Sequence, residues 1–165
     1  MTVEPKTTAL LVLDIASQIC NVERRPRCVA MLPRVKALLA TARTRGLTVI
    51  YALAPISAPT DILPEVAMTG QEPVVKSGPD KFLNTELEKI LKDNGIKTVI
   101  TVGVAANGAV LHTATGAAFR GFDVIVPVDG MASETPYAEQ YTAWHLVNAP
   151  RLADRVKLTK TGMID

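Results

Sequence analysis

Three features of this sequence could carry acid–base chemistry, and each follows a short run of apolar residues. Asp14 comes directly after ALLVL, Lys76 after PVV, and Asn107 opens a segment of small residues after TVITVGV. Apolar surroundings make a carboxylate more basic, and a nearby ammonium group could hold that carboxylate and bind an anionic or carbonyl group. Backbone amides at the start of a helix could stabilise developing negative charge. The sequence therefore predicts proton transfer to or from a small substrate at Asp14.

The elements that position these residues follow an alternating pattern. Short runs rich in β-branched residues alternate with longer helical patterns, and several of these runs are apolar throughout, as is typical of strands covered on both faces. Strands are predicted at 9–13, 47–53, 73–75, 98–102 and 123–128, with a sixth at 156–159. Helices are predicted over 29–45, from Asn84 to Gly95, over 107–120, and from Ser133 or Thr135 to Asn148. This order predicts a three-layer α/β/α sandwich around a parallel sheet of about five or six strands.

The same pattern predicts where a ligand would bind. With central strand order 3-2-1-4-5, the carboxyl ends of the strands meet at one edge, and ligands bind where the strand order reverses. Asp14, Lys76 and the helix near Asn107 each follow a different strand. A single charge at a strand end is usually just solvated, but three such features at one edge favour a functional site.

Composition indicates a single domain over residues 1–165 and restricts the partners. The chain is 48 % hydrophobic, and 18 Lys and Arg residues balance 16 Asp and Glu residues. This balance is not typical of a nucleic-acid-binding surface, and the longest apolar run, residues 9–13, is too short to cross a bilayer. We therefore expect a small-molecule substrate as the partner, with neither nucleic acid nor membrane.

The two cysteines and the first residues predict a cytoplasmic protein. Cys20 and Cys28 are too few for a disulfide framework, and the first residues lack the basic segment of a secretory signal. Cys20 follows Asp14 closely and could supply a thiol to the site, although a buried reduced cysteine that packs as a small apolar residue is commoner.

Residues 54–72 do not fit the alternating pattern. They contain Pro55, Pro59, Pro64 and Gly70 and show no helical or strand period. A loop of this length inside a compact α/β domain is usually functional or mobile. It forms either a lid or interface, or a solvated excursion with one short helix around residues 62–68.

Three blocks of this chain resemble the signature blocks of isochorismatase-like hydrolases, also called the cysteine hydrolase superfamily. They are ALLVLDIASQ, VVKSGPDKFLNTEL and TVITVGVAANGAVLHTATGAAFRGFDVIVPVDGMAS, and together they extend from about Thr8 to Ser133. The resemblance implies a Rossmann-like α/β/α fold with a catalytic Asp, Lys and Cys. Asp14 matches the Asp and Lys76 the Lys, and a cis peptide is implied at Val104–Ala105.

The position that matches the nucleophilic cysteine is Ala109, whose methyl group cannot attack a carbonyl. The thioester route of the family's amidases is therefore not expected. True isochorismatases also lack this cysteine and use the Asp as an acid, which is compatible with Ala109. Isochorismate itself is not assigned, because only Lys76 is predicted near this dianion. No histidine precedes His112, so the metal site of the nicotinamidases is not expected, and no cofactor is implied.

The catalytic positions are thus Asp14, Lys76 and Ala109, and the substrate-binding residues predicted around them lie within the same three blocks. These are Gln18, Phe82, Val104, Ala105, Asn107, Gly108 and His112. His112 could serve as a displaced acid–base group, although a histidine that is packed or partly exposed on its helix is commoner.

The main functional hypothesis is a small-molecule hydrolase without a cysteine nucleophile, in which Asp14 is the general acid or base and Lys76 assists. One alternative is a catalytically silent member that binds a small ligand or serves as an assembly module. Another is a Cys-to-Ala variant of a cysteine amidohydrolase. Tyr137, Tyr141 and Trp144 recur at helical spacing, and we expect a homodimer or homotetramer.

Overall fold

A parallel β-sheet forms the centre of the molecule in the computed structural model, which describes residues 1–165. Its strands are β1 (Thr8–Leu13), β2 (Thr48–Leu53), β3 (Val74–Lys76), β4 (Thr98–Val104), β5 (Asp123–Pro127), β6 (Met131–Ala132) and β7 (Val156–Thr159). The order is β3-β2-β1-β4-β5-β7, and the short β6 pairs with β4. The predicted parallel sheet and its central order are confirmed, and β6 is an addition.

Four helices cover the two faces of the sheet. They are α1 (Pro26–Arg45), α2 (Leu87–Asp93), α3 (Leu111–Phe119) and α4 (Pro136–Asn148), and one π-helical turn, Ala106–Val110, runs directly into α3. Helix α1 begins earlier than predicted, with Pro26 in its first turn, where proline is tolerated. Helix α2 begins later, because Asn84 has a φ of 56° and Glu86 is the N-cap. None of these helices is long and apolar enough to cross a membrane.

Strand β1 lies in the middle of the sheet and is buried on both faces, as its uninterrupted apolar sequence predicts. On one face, Leu10 and Val12 belong to a core cluster with Val35 of α1. On the other face, Leu11 and Leu13 belong to a second cluster that α2, α3 and α4 complete. This double coverage fixes the carboxyl end of β1, where Asp14 follows.

Gly103 allows β1 and β4 to approach closely at this end of the sheet. It pairs with Leu13 and has a φ of +135°, a region that residues with a side chain rarely adopt. A Cβ atom at Gly103 would lie 2.0 Å from the carbonyl oxygen of Leu13. Only glycine therefore allows β4 to end directly beside Asp14.

Residues 54–72 pack against the chain that follows β1. They form two short 3₁₀ turns, Pro59–Asp61 and Pro64–Val66, instead of the single short helix considered above. Ala16 and Ile62 form an antiparallel bridge, and the hydroxyl of Tyr51 donates a hydrogen bond to the carbonyl of Val66 at 2.7 Å. These contacts anchor the segment to the chain after β1, while more than half of its residues are exposed to solvent.

Candidate functional site

Asp14 occupies the first position after β1 in a backbone conformation that is unusual for its type. Its φ is 53°, in the left-handed region, and its amide donates to the carbonyl of Ala52 at 2.9 Å. A non-glycine residue in such a sparsely populated region costs on the order of 1–3 kcal/mol, and such residues cluster at active sites. Its side chain is only 10 % exposed.

Lys81, and not Lys76, is the partner of Asp14. The fully buried Lys81 Nζ donates to Asp14 Oδ1 at 2.8 Å and to the carbonyl of Ser77 at 3.1 Å. Sequence reasoning missed Lys81, because it lies in the turn after β3 and its direction depends on how that turn folds.

The predicted pair of Asp14 with Lys76 is wrong. Lys76 is the last residue of β3, and its side chain is exposed. Successive side chains of a strand point to opposite faces, so the burial of Val75 turns Lys76 outwards. The prediction depended on the position of Lys76 at the strand end and on its match to the family's Lys, whereas Lys81, five residues later, places its charge beside Asp14.

Burial raises the pKa of Asp14 above its ordinary value. Loss of hydration is the largest influence, since it disfavours the charged carboxylate. The charge and hydrogen bond of Lys81, the backbone amide of Ala54 and the charge of Arg25 act in the opposite direction. The carboxyl group therefore keeps its proton to a higher pH than an exposed Asp, which suits a group that exchanges protons with a substrate.

The backbone after β4 forms the second part of the site. The peptide bond between Val104 and Ala105 is cis, as the family resemblance implied. Ala109, in the π-helical turn that follows, is 4 % exposed. A cavity of about 300 Å³ opens at this turn, lined by Arg25, Ala105, Asn107, Gly108, Ser133, Glu134, Thr135 and Ala138. Three residues predicted to bind substrate, Ala105, Asn107 and Gly108, thus face one cavity.

Arg25 and Glu134 are charged cavity residues that sequence reasoning missed, and Arg25 is the more buried of the two. Arg25 is the N-cap residue of α1, and its side chain is 12 % exposed. Nη1 donates to the carbonyl of Ile19 at 3.1 Å, and Nη2 lies 3.2 Å from an oxygen of Glu134. No sequence signal separates Arg25 from Arg24 and Arg27, because only the fold turns one of the three into the cavity.

Cys20 and Cys28 form a disulfide, with 5.5 Å between their Cα atoms, and no cysteine is free. The expectation of two reduced cysteines is therefore wrong, and Cys20 has no thiol to act as a relocated nucleophile. Two cysteines are too few for a framework of several disulfides, but they are enough for this single bond. The first turn of α1 brings Cys28 back to the buried Cys20, and Arg25 lies in the loop that the bond closes.

Two residues predicted to bind substrate have structural roles instead. Gln18 is exposed, and its Oε1 accepts a hydrogen bond from Ser57 at 3.4 Å, which ties residues 54–72 to the chain after β1. Phe82 is 4 % exposed and stacks on Phe122, with 6.2 Å between the ring centroids, so it belongs to the core.

The remaining two residues predicted to bind substrate differ in burial. Val104 is fully buried in the core and takes part in the site only through its backbone. His112 is exposed and forms no hydrogen bond or ion pair, whereas Ala109, one turn before it, is buried. The imidazole of His112 therefore forms no hydrogen bond with Asp14.

Comparison with known proteins supports the resemblance seen in the sequence. The model of the isochorismatase domain family matches residues 8–155. The secreted isochorismatase effector Isc1 of Verticillium dahliae is 28 % identical over 148 residues, which cover 79 % of this chain and 75 % of the effector. N-carbamoylsarcosine amidase of an Arthrobacter species is 26 % identical over 151 residues, which cover 74 % of this chain and 57 % of the amidase.

The fold is also shared with solved structures. An isochorismatase-like hydrolase from Alkaliphilus metalliredigens superposes with a TM-score of 0.85 at 24 % identity, covering 94 % of this chain and 95 % of that chain. Since the family model covers most of the sequence as well, this chain belongs to the isochorismatase family of hydrolases.

Proposed function

We propose that this chain is a small-molecule hydrolase that works without a cysteine nucleophile and uses Asp14 as its general acid or base. The observation that carries this proposal is the buried Asp14–Lys81 pair at the end of β1. A desolvated ion pair costs free energy that packed apolar residues would not, so its presence at a ligand-binding edge suggests use.

The absence of a thiol decides the proposed route. We assign Ala109 to the position of the family's nucleophilic cysteine, and both cysteines of the chain are in the disulfide. A covalent thioester therefore has no nucleophile to form it. In the proposed reaction, the oxygen of water bonds to the electrophilic carbon of the substrate while the bond from that carbon to its leaving group breaks.

Asp14 carries the proton in this reaction. Its raised pKa, caused by burial, keeps the carboxyl protonated more often than in an exposed Asp, so it can donate to the leaving group. The water that attacks then returns a proton to the carboxylate. Lys81 engages Oδ1 and is a positioning residue, because it orients the carboxyl group and need not touch the substrate.

The test is a panel of small amides, ureas, vinyl ethers and lactones given to the wild type and to Asp14→Asn. Amides and ureas come first, because a relative of this chain is named as an amidase. Loss of a general acid or base commonly lowers the rate by about 10²–10⁴. Asp93→Asn, a change at an exposed helix residue, is the matched control and should keep full activity. Undiminished turnover by Asp14→Asn would contradict the proposal.

A second candidate is a silent member that binds a ligand without turnover, since Ala109 offers no reactive group beside the cavity. In that case ligands raise the melting temperature while no member of the panel is hydrolysed. The variant Ala109→Cys distinguishes a silent ligand-binding member from a Cys-to-Ala variant of a cysteine amidohydrolase. Amide hydrolysis gained by Ala109→Cys and abolished by iodoacetamide would show that the site still supports the thioester route.

We also propose that the chain assembles as a homodimer or homotetramer. Tyr137 and Trp144 of α4 are 75 % and 63 % exposed, and Tyr141 lies between them on the same helix. Exposed aromatic residues at helical spacing are enriched in protein–protein interfaces. Sedimentation should give a multiple of 17.7 kDa for the wild type and a smaller species for Trp144→Glu. A 17.7 kDa wild type would contradict the proposal.

The cellular compartment of the chain is the subject of a further proposal. The cytoplasmic expectation depended on reduced cysteines, and the disulfide now favours an oxidising environment. One relative, the effector Isc1 of Verticillium dahliae, is named as a secreted protein. We therefore propose that the chain works where disulfides persist. Mass measurement of alkylated protein from the source cells, without reduction, should show no modified thiol, and two modified thiols would restore the cytoplasmic expectation.

A further inference from the structure

We propose that Arg25 binds a carboxylate group of the substrate, so that the site acts on small organic acids. This inference rests on the hydrolase proposed above and names its substrate class. It depends on three observations: an unpaired buried donor on Arg25, an open cavity beside it, and a weakly held counter-ion that a ligand can replace.

The unpaired donor is the Nε of Arg25. The side chain is 12 % exposed, and Nε is buried without any hydrogen-bond acceptor. Leaving a buried donor unsatisfied costs about 1–3 kcal/mol, more when the group is charged. Such groups are uncommon in folded proteins, and a missing ligand is one physical explanation of this one.

The cavity supplies the space for that ligand. Arg25 lines it together with Ala105, Asn107, Gly108 and Thr135, and its volume of about 300 Å³ suits a small molecule. The Oδ1 of Asn107 accepts a hydrogen bond from the Ser133 hydroxyl at 2.7 Å, and the Nδ2 group of Asn107 has no protein acceptor. The cavity therefore offers a second free donor besides Arg25.

Glu134 holds the guanidinium group only weakly. Its Oε1 lies 3.2 Å from Nη2, and its side chain is 61 % exposed. Exposed ion pairs of this kind contribute about 0–1 kcal/mol. The Nε and Nη2 donors of an arginine point in the same direction and match the two oxygens of a carboxylate. A substrate carboxylate can therefore displace Glu134 and also satisfy the unpaired Nε.

Arg25 is held in place on one side of the cavity, whose lining does not include Asp14 itself. Arg25 is close enough for its positive charge to oppose the burial that raises the pKa of Asp14. Arg25 lies between Cys20 and Cys28, so the disulfide restrains its loop, and Nη1 is anchored on Ile19. A carboxylate bound at Arg25 would thus be held by a restrained side chain.

The experiment compares acids with their uncharged counterparts. Acetate, succinate and benzoate are each paired with their methyl esters, and binding is measured by calorimetry and thermal shift. We expect the wild type to bind at least one acid about 10–100-fold more tightly than its ester, the range of a charged hydrogen bond. Arg25→Gln should abolish this preference, and Arg25→Lys should retain part of it. Arg24→Gln, a change at the exposed neighbouring arginine, should leave it intact.

Glu134→Gln keeps the inference testable if the Arg25 variants do not fold. Removal of the competing carboxylate should tighten acid binding by about two- to fivefold, the range of an exposed ion pair. Equal binding of acids and esters by the wild type, or weaker acid binding by Glu134→Gln, would overturn the assignment.

These results are separable from the hydrolase proposal. Binding of acids through Arg25 without turnover of any acidic amide leaves the carboxylate site standing and removes the hydrolase. Turnover that depends on Asp14 but is equally fast for charged and uncharged substrates leaves the hydrolase proposal standing and removes the carboxylate site.

Discussion

The Nζ of Lys81 lies 2.8 Å from the Oδ1 of Asp14, and both side chains are withdrawn from water. Neither group has a second oppositely charged partner in direct contact. Each therefore depends on the other for the free energy that compensates its lost hydration. This dependence distinguishes Lys81 from Lys76, which carries the same charge at the surface.

We expect Lys81→Met to lower the free energy of unfolding by about 3–5 kcal/mol, because it leaves the Asp14 carboxylate buried without its partner. Lys76→Met removes the same charge from an exposed position and should change stability by about 0.5 kcal/mol or less. Urea unfolding of both variants measures the difference. The double variant Asp14→Asn/Lys81→Met should recover part of the loss. Equal effects of the two single variants would contradict the pairing.

Asp14 should also make stability depend on pH. Burial raises its pKa above the ordinary value of 3.8, so between these two values the folded state holds a proton that the unfolded state has lost. Stability contributed by Asp14 is therefore full below about pH 3.8 and falls as pH rises through the folded pKa. Asp14→Asn cannot titrate.

The measurement is the free energy of unfolding of the wild type minus that of Asp14→Asn, followed from pH 4 to 7, roughly the range in which carboxyl groups lose their protons. We expect this difference to decrease with rising pH. Carboxylates such as Glu88, whose pKa a hydrogen bond from Lys92 lowers, act in the opposite sense, but they are common to both proteins and cancel. A difference that grows with pH would show that the Lys81 charge outweighs burial.

Loss of the disulfide should destabilise the fold moderately. Cys20 and Cys28 are eight residues apart, and closing a loop of this size in the unfolded chain corresponds to about 2–3 kcal/mol. We expect Cys20→Ser/Cys28→Ser to show this loss in urea unfolding. Dithiothreitol should lower the stability of the wild type by the same amount and leave the double variant unchanged. An effect of the reductant on the double variant would point to another cause.

Gly103→Ala should cost about 3 kcal/mol or more, because the added methyl group would lie 2.0 Å from the carbonyl oxygen of Leu13 and the backbone must move. Gly162→Ala is the matched control, since nothing lies within 4 Å of its added Cβ and it should be nearly neutral. Melting temperatures compare the two. If Gly103→Ala folds, its activity should fall as well, because the clash displaces the residue before Asp14.

The sequence by itself determined the order of the strands and the place of Asp14. Apolar runs such as the one before Asp14 are local signals, since a strand buried on both faces needs apolar residues at successive positions. The family's blocks identified the turn at Ala105 to Ala109 in the same way, because each lies in one continuous stretch of chain.

Only the tertiary structure decided which charges meet. Lys76 and Lys81 are alike in sequence, and the turn between them sends one to the surface and the other to Asp14. Arg25 differs from its neighbouring arginines only because α1 begins at Pro26 and directs its guanidinium group into the cavity. The disulfide depends in the same way on the first turn of α1. Side-chain contacts between distant segments follow from the packing of the whole chain, whereas strands and helices follow from local patterns.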